Sequence, residues 1–124
     1  MKPSGSPEDI GVIQLAWLGD SVWELHQRLR YVHFPLKSKE LHLSVVNEVK
    51  AKAQSKSLSQ IEHLLNTFEI DLIRRARNKT KRYPKSADPS IYSRATGFET
   101  LIGLLFLKDP KRLSKFFEYL EKTI

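Results

Sequence analysis

Leu15, Leu18, Val22, Leu25, Leu29 and Val32 recur at alternating spacings of three and four residues, the period of one face of an α-helix. The stripe predicts a first helix that opens near Pro7, Glu8 and Asp9, where acids suit the positive end of the helix dipole, and that ends before Pro35. A second helix is expected from about Ser38, with Leu41, Val45, Val49 and Lys52 on one face. The run SLSQIEHLL reads as a third, with Ser57 or Ser59 near its cap. A short fourth helix at about 68–77 leads into a loop over residues 78–90, marked by Asn78, Pro84, Asp88 and Pro89. Loops of this length in compact domains are usually functional or mobile. From Ser90 onward, IYSRATGFETLIGLLFL forms the most apolar helix of the chain. The last helix starts with Asp109 as N-cap and Pro110 at the first helical position. No alternating strand pattern, hairpin signal or internal repeat interrupts this series, so the fold class is all-α. A tail over residues 1–8 precedes one domain over residues 9–124.

Composition narrows the chemistry. The 124 residues include no cysteine, which excludes disulfides, thiolate nucleophiles and Cys-ligated zinc. The histidines His26, His33, His42 and His63 fall into no metal-binding spacing and read as surface or boundary residues. No apolar run approaches the roughly 18 residues of a membrane span and the N-terminus lacks a signal-peptide core, so a cytoplasmic, membrane-free protein is expected. The formal net charge is +7, and the segment RRARNKTKRYPK at 74–85 carries basic residues without a single acid. Such a patch attracts polyanions, of which a phosphate backbone is the commonest; a solvated basic loop is the alternative.

Two acids sit where apolar residues dominate. Asp20 follows Gly19 inside LAWLGDSVWE, on a face shared with Ile13, Trp17 and Glu24, and Glu99 lies inside TGFETLIG between Gly97 and Gly103. Glycine costs roughly 1 kcal/mol of helix propensity relative to alanine, so these positions point to another backbone approaching closely. If the two helices cross at Gly19 and at Gly97 or Gly103, Asp20 and Glu99 face one another. Two converging carboxylates repel unless one is protonated or a cation lies between them, and Mg²⁺ suits a site with few protein carboxylates. The alternative is that each acid pairs with a base, Glu99 with Arg94 and Asp20 with Arg28. Glu24 reads either as an outer-shell partner or as a surface acid.

These residues also carry a family likeness. LAWLGDSVWEL resembles the signature helix of the ribonuclease III fold, and ARNKTKRYPK followed by IYSRATGFETLIGLLFL is similar to the later segment of Mini-ribonuclease III, the subfamily that lacks a double-stranded-RNA-binding domain. The likeness spans roughly residues 10–122. It implies a ribonuclease III-type domain of about six to seven helices that dimerises and cleaves double-stranded RNA with Mg²⁺, Mn²⁺ serving as a substitute. It further implies 5′-phosphate products and precursor 23S ribosomal RNA as substrate. By position, Asp20 and Glu99 correspond to catalytic metal ligands. Two further acids of the larger family fall on Ile13 and Thr96, and Thr96 reads either as a hydroxyl near the metal or as a helix residue bonding its own backbone. Lys52, with Gln54 after it, reads either as facing RNA or as part of a solvated face, and the basic residues Arg74, Arg75, Arg77, Lys79, Lys81, Arg82 and Lys85 are expected on RNA, with Asn78 shaping the turn. The rival is a non-catalytic helical RNA-binding module, in which both acids are structural. A DNA-binding helix-turn-helix fits less well, because the basic residues cluster in a Pro-containing loop rather than on a recognition helix.

Overall fold

The computed structural model describes residues 2–6 and 9–122. Its helices are α1 (Val12–Tyr31), α2 (Ser38–Val49), α3 (Ala51–Ile61), α4 (Thr67–Lys79), α5 (Pro89–Lys108) and α6 (Pro110–Lys122), with a 3₁₀ turn at Glu62–Leu64 between α3 and α4. No strand occurs among the described residues, and no helix of theirs is long and apolar enough to cross a membrane.

α5 is the central element and packs against α1, α3, α4 and α6. Its Phe98, Leu101, Ile102 and Leu105 are buried with Trp23 of α1, Leu58 and Ile61 of α3, and Leu113 and Phe116 of α6. Trp23 meets Phe98 edge to face at 5.1 Å between ring centroids, a favoured aromatic geometry. A second apolar cluster joins Val12 and Leu15 to Leu72, Ala76 and Leu104.

Where α1 and α5 cross, the backbones touch. A Cβ on Gly19 would lie 1.8 Å from the carbonyl oxygen of Glu99, and one on Gly103 would lie 2.1 Å from that of Leu15. Only glycine fits at either position. The buried Thr100 pins the same crossing, its hydroxyl reaching the carbonyl oxygens of Val12 at 3.1 Å and Thr96 at 2.8 Å. Gly97 serves a different neighbour from the one its sequence context suggested: it faces Ile73 of α4.

Other expectations are corrected too. α1 begins at Val12 after Gly11, with no acid in its first turn; of the three residues predicted to open it, Pro7 and Glu8 lie outside the described residues. The buried face of α1 is Val12, Leu15, Ala16, Gly19, Trp23 and Gln27, so the predicted stripe is right at Leu15 but runs out of the core at Leu25, Leu29 and Val32, all more than half exposed. Ile13 and Trp17, apolar residues on the face of Asp20, are exposed as well. The physical reason is the glycine crossing, which rotates α1 until Gly19 rather than Leu18 faces α5. The second helix stops at Val49 and the third begins at Ala51, six residues before Ser57, because Lys50 is extended (φ −63°, ψ 149°). No glycine, proline or cap residue marks that break. Its role is to lay α2 along α1 and α3 along α5.

α4 opens on a capping box, in which the Asn66 side chain accepts from the Glu69 amide and the Glu69 carboxylate accepts from the Asn66 amide, both at 2.9 Å, satisfying two orphan donors of the first turn. Glu69 is buried and also receives two bonds of 2.7 Å from Arg112 of α6. This forked pair ties α4 to α6. At the start of α6 Asp109 accepts from the amide of Arg112 at 3.2 Å, as Asp109–Pro110 predicted.

The crossing makes a graded prediction. Gly19→Ala and Gly103→Ala each place a methyl group into a main-chain carbonyl, and urea denaturation should show losses of about 3 kcal/mol or more, at or above the upper range for overpacking. Gly97→Ala meets the movable Cγ2 of Ile73 at 2.7 Å and should cost clearly less. Equal losses at all three positions would contradict the backbone contact.

Candidate active site

Asp20 follows Gly19, and Glu99 contributes the carbonyl oxygen that Gly19 admits. The close approach of the two backbones therefore brings their carboxyl groups together. The pair shares a hydrogen bond, and the Glu99 carboxyl is pushed up to about 9, first by burial and then by the hydrogen bond and charge of Asp20; a bond from Gln54 acts in the opposite direction. Gln54 of α3 is buried, and its Nε2 donates to Glu99 Oε2 at 3.4 Å. Below about pH 9 the Glu99 carboxyl therefore keeps its proton.

The arginines considered as alternative partners are engaged elsewhere. Arg94 binds Glu62, Ser55 and Ser59. Arg28 pairs with Glu24 at 3.5 Å along α1, which also makes Glu24 a surface acid turned to its own helix.

Asp20 and Glu99 line a cleft of about 480 Å³, whose opposite wall is Lys79 at the end of α4 followed by Thr80, Lys81 and Arg82. Ile13 and Thr96 line it as well. These are the positions at which the larger family carries further acids, so among the described residues Asp20 and Glu99 are the carboxylates that line the cleft. Among the described residues no group of three acids or histidines is placed to hold a metal. Thr96 Oγ1 donates to the carbonyl of Tyr92 at 3.1 Å, the backbone-bonding alternative. Trp17, 79% exposed, and Tyr92 also line the cleft.

The remaining residues expected on RNA scatter. Arg74 and Arg75 pair with Asp71 on their own helix. Arg77 donates to Ser93 Oγ at 3.1 Å and Ser90 Oγ at 3.4 Å, so it fastens α4 to α5 and does not line the cleft. Asn78 is helical rather than at a turn, and with Arg75 it lines a separate cavity between α1 and α4. Lys52 and Lys85 are exposed, neither lining the cleft. Gln54, read as facing RNA, is turned inward to Glu99. A signal for that was present, since Gln54 occupies the first place of the stripe Gln54, Leu58, Ile61.

Comparison with known proteins agrees with this arrangement of helices. The family described as Ribonuclease III domain matches residues 13–110. A protein of Synechococcus named Mini-ribonuclease 3 is 40% identical over 109 residues, covering 88% of this chain and 79% of that protein. One of the same name from Gloeobacter violaceus is 44% identical over 99 residues, 80% of this chain and 73% of the relative. A crystal structure of a protein from Fusobacterium nucleatum superposes with a TM-score of 0.85 at 32% identity, over 93% of this chain and 94% of the other. The chain belongs to the ribonuclease III family, whose members act on double-stranded RNA, and is an endoribonuclease with relatives named Mini-ribonuclease 3.

Proposed function

We propose that the chain works as a cytoplasmic homodimer that cleaves double-stranded RNA with Mg²⁺, leaves 5′-phosphate ends and matures precursor 23S ribosomal RNA. The observation that carries this reading is that Lys79, Lys81 and Arg82 line the same cleft as Asp20 and Glu99. Cations grip phosphates by charge without reading sequence, and duplex RNA is recognised mainly by shape and backbone. The ribosomal substrate rests on the likeness to Mini-ribonuclease III.

The donor set fits a hard divalent cation. An exposed Asp20 and a half-buried Glu99 supply oxygens and leave positions for waters and phosphate oxygens, the ligands Mg²⁺ prefers; Mn²⁺ accepts the same set. Asp20 and Glu99 would hold the ion, and Glu99 must first give up its proton. The ion supplies neutralisation of charge at the scissile phosphate and activation of the attacking water. The basic wall holds the neighbouring phosphates, and the departing group is the 3′ oxygen, which leaves the phosphate on the 5′ end.

The dimer is supported by the face of α1 that the core does not use. Leu25 and Leu29 of α1 and Val32 just after it are all exposed and, at spacings of four and three, lie on one side of the helix. Large apolar side chains exposed together suit an interaction site, and two-fold pairing is the commonest solution. Two copies so related present two clefts, one for each strand.

Asp20→Asn and Glu99→Gln should each abolish Mg²⁺-dependent cleavage of a long RNA duplex while duplex binding persists. Near-wild-type cutting by either variant removes that residue from the metal site, and a wild-type protein that binds but never cuts would favour the non-catalytic module. The raised Glu99 carboxyl sets a pH dependence. Between its ordinary value of 4.5 and about 9 the metal-free fold keeps a proton that the unfolded chain has lost. Stability from this group is therefore complete below 4.5 and falls as pH rises, by up to about 1.4 kcal/mol per pH unit. Thermal melts in chelator should show the decline from pH 7 to 9, and Glu99→Gln should flatten it. For the dimer, light scattering should give about twice the 14.4 kDa chain mass, with Leu25→Glu plus Leu29→Glu shifting the protein to the monomer; an unshifted dimer would move the interface elsewhere.

A further inference from the structure

α3 turns Gln54, Leu58 and Ile61 inward and packs them against α5. Leu58 and Ile61 are ordinary members of an apolar stripe. Gln54 is not, because it is 3% exposed and burying an amide costs free energy that a methionine or leucine of similar volume would avoid. What the amide does have is a bond to Glu99: Nε2 donates to Oε2 at 3.4 Å, near the long limit of a hydrogen bond.

We infer that Gln54 is a positioning residue, whose amide ties one oxygen of Glu99 to α3 and keeps the carboxylate turned toward Asp20 and the cleft. The inference rests on the reading of Asp20 and Glu99 as the pair that holds a divalent cation. Its chemistry follows from the sparseness of the site. With Ile13 and Thr96 contributing no charge to the cleft, Asp20 and Glu99 are its anionic groups among the described residues, and the orientation of each counts for more. A neutral donor orients Glu99 without cancelling the negative charge a cation needs, which a lysine or arginine at the same place would do. Partners that orient a ligand in this way typically contribute about 10–100-fold in metal affinity. Being buried behind Glu99, Gln54 has no route to RNA, so its effect passes through the carboxylate alone.

Gln54→Met and Gln54→Leu in the full chain test this, with Mn²⁺ alone as the probe in calorimetry without RNA. The expected result is Mn²⁺ binding weakened about tenfold or more in both variants, with the metal-free melting temperature unchanged or raised. In duplex cleavage the loss should appear in kcat at low Mn²⁺, recover as Mn²⁺ is raised, and leave KM for the duplex unchanged at saturating metal. Wild-type Mn²⁺ affinity in both variants overturns the inference. So does a cleavage defect that metal fails to repair together with a lowered metal-free melting temperature, which would make Gln54 a packing residue. Asp20→Asn and Glu99→Gln measured alongside separate the two levels. If they lose Mn²⁺ binding and the Gln54 variants do not, only this inference falls; if they bind as wild type, the metal reading falls with it.

Discussion

The approach of two backbones at Gly19 and Gly103 governs the rest of the molecule. Helices bearing ordinary side chains pack with axes about 8–10 Å apart, and a single Cβ on either of these glycines would strike a main-chain carbonyl of the other helix. Their absence lets α1 settle directly onto α5, which buries Trp23 against Phe98 and lets Thr100 bond across the crossing. The carboxyl groups of Asp20 and Glu99 meet as a consequence of the same contact. In this chain the packing of the core and the construction of the cleft are one event.

That arrangement carries an electrostatic cost, visible in a Glu99 carboxyl raised to about 9 by burial and by Asp20. The fold holds the acids together through apolar packing around α5 and through polar ties placed away from the cleft, above all the Glu69–Arg112 fork between α4 and α6. Retention of the Glu99 proton below about pH 9 relieves that cost by leaving one carboxyl of the two uncharged.

The basic wall depends on ties of its own. Arg77 is fastened to Ser90 and Ser93, and Asp88 caps the start of α5 through the amides of Ser90 and Ile91. Both ends of the loop over residues 80–88 are thereby secured to the helices that flank it. A residue expected to grip RNA anchors instead the segment that carries Lys81 and Arg82 to the cleft.

From the sequence alone came the all-α class, the Asp109–Pro110 start of α6, and the facing of Asp20 and Glu99, because glycines and acids inside apolar helices are local anomalies that need no coordinates to notice. The rotation of α1 about its axis was not legible. Leucines at 25 and 29 carry the same three-four period whether they meet the core or solvent, and only the glycine contact selects which face turns inward. The break at Lys50 was equally hidden, since no residue there disfavours a continuous helix and the bend exists to seat α2 and α3 on different neighbours. Charge told that residues 74–85 form a basic run but not which of its side chains share the cleft, because half of the run is helical and its arginines face other partners. Gln54 shows the same division: in the sequence it stands beside Lys52 and reads as a polar surface residue, and only the packing of α3 on α5 put its amide beside Glu99.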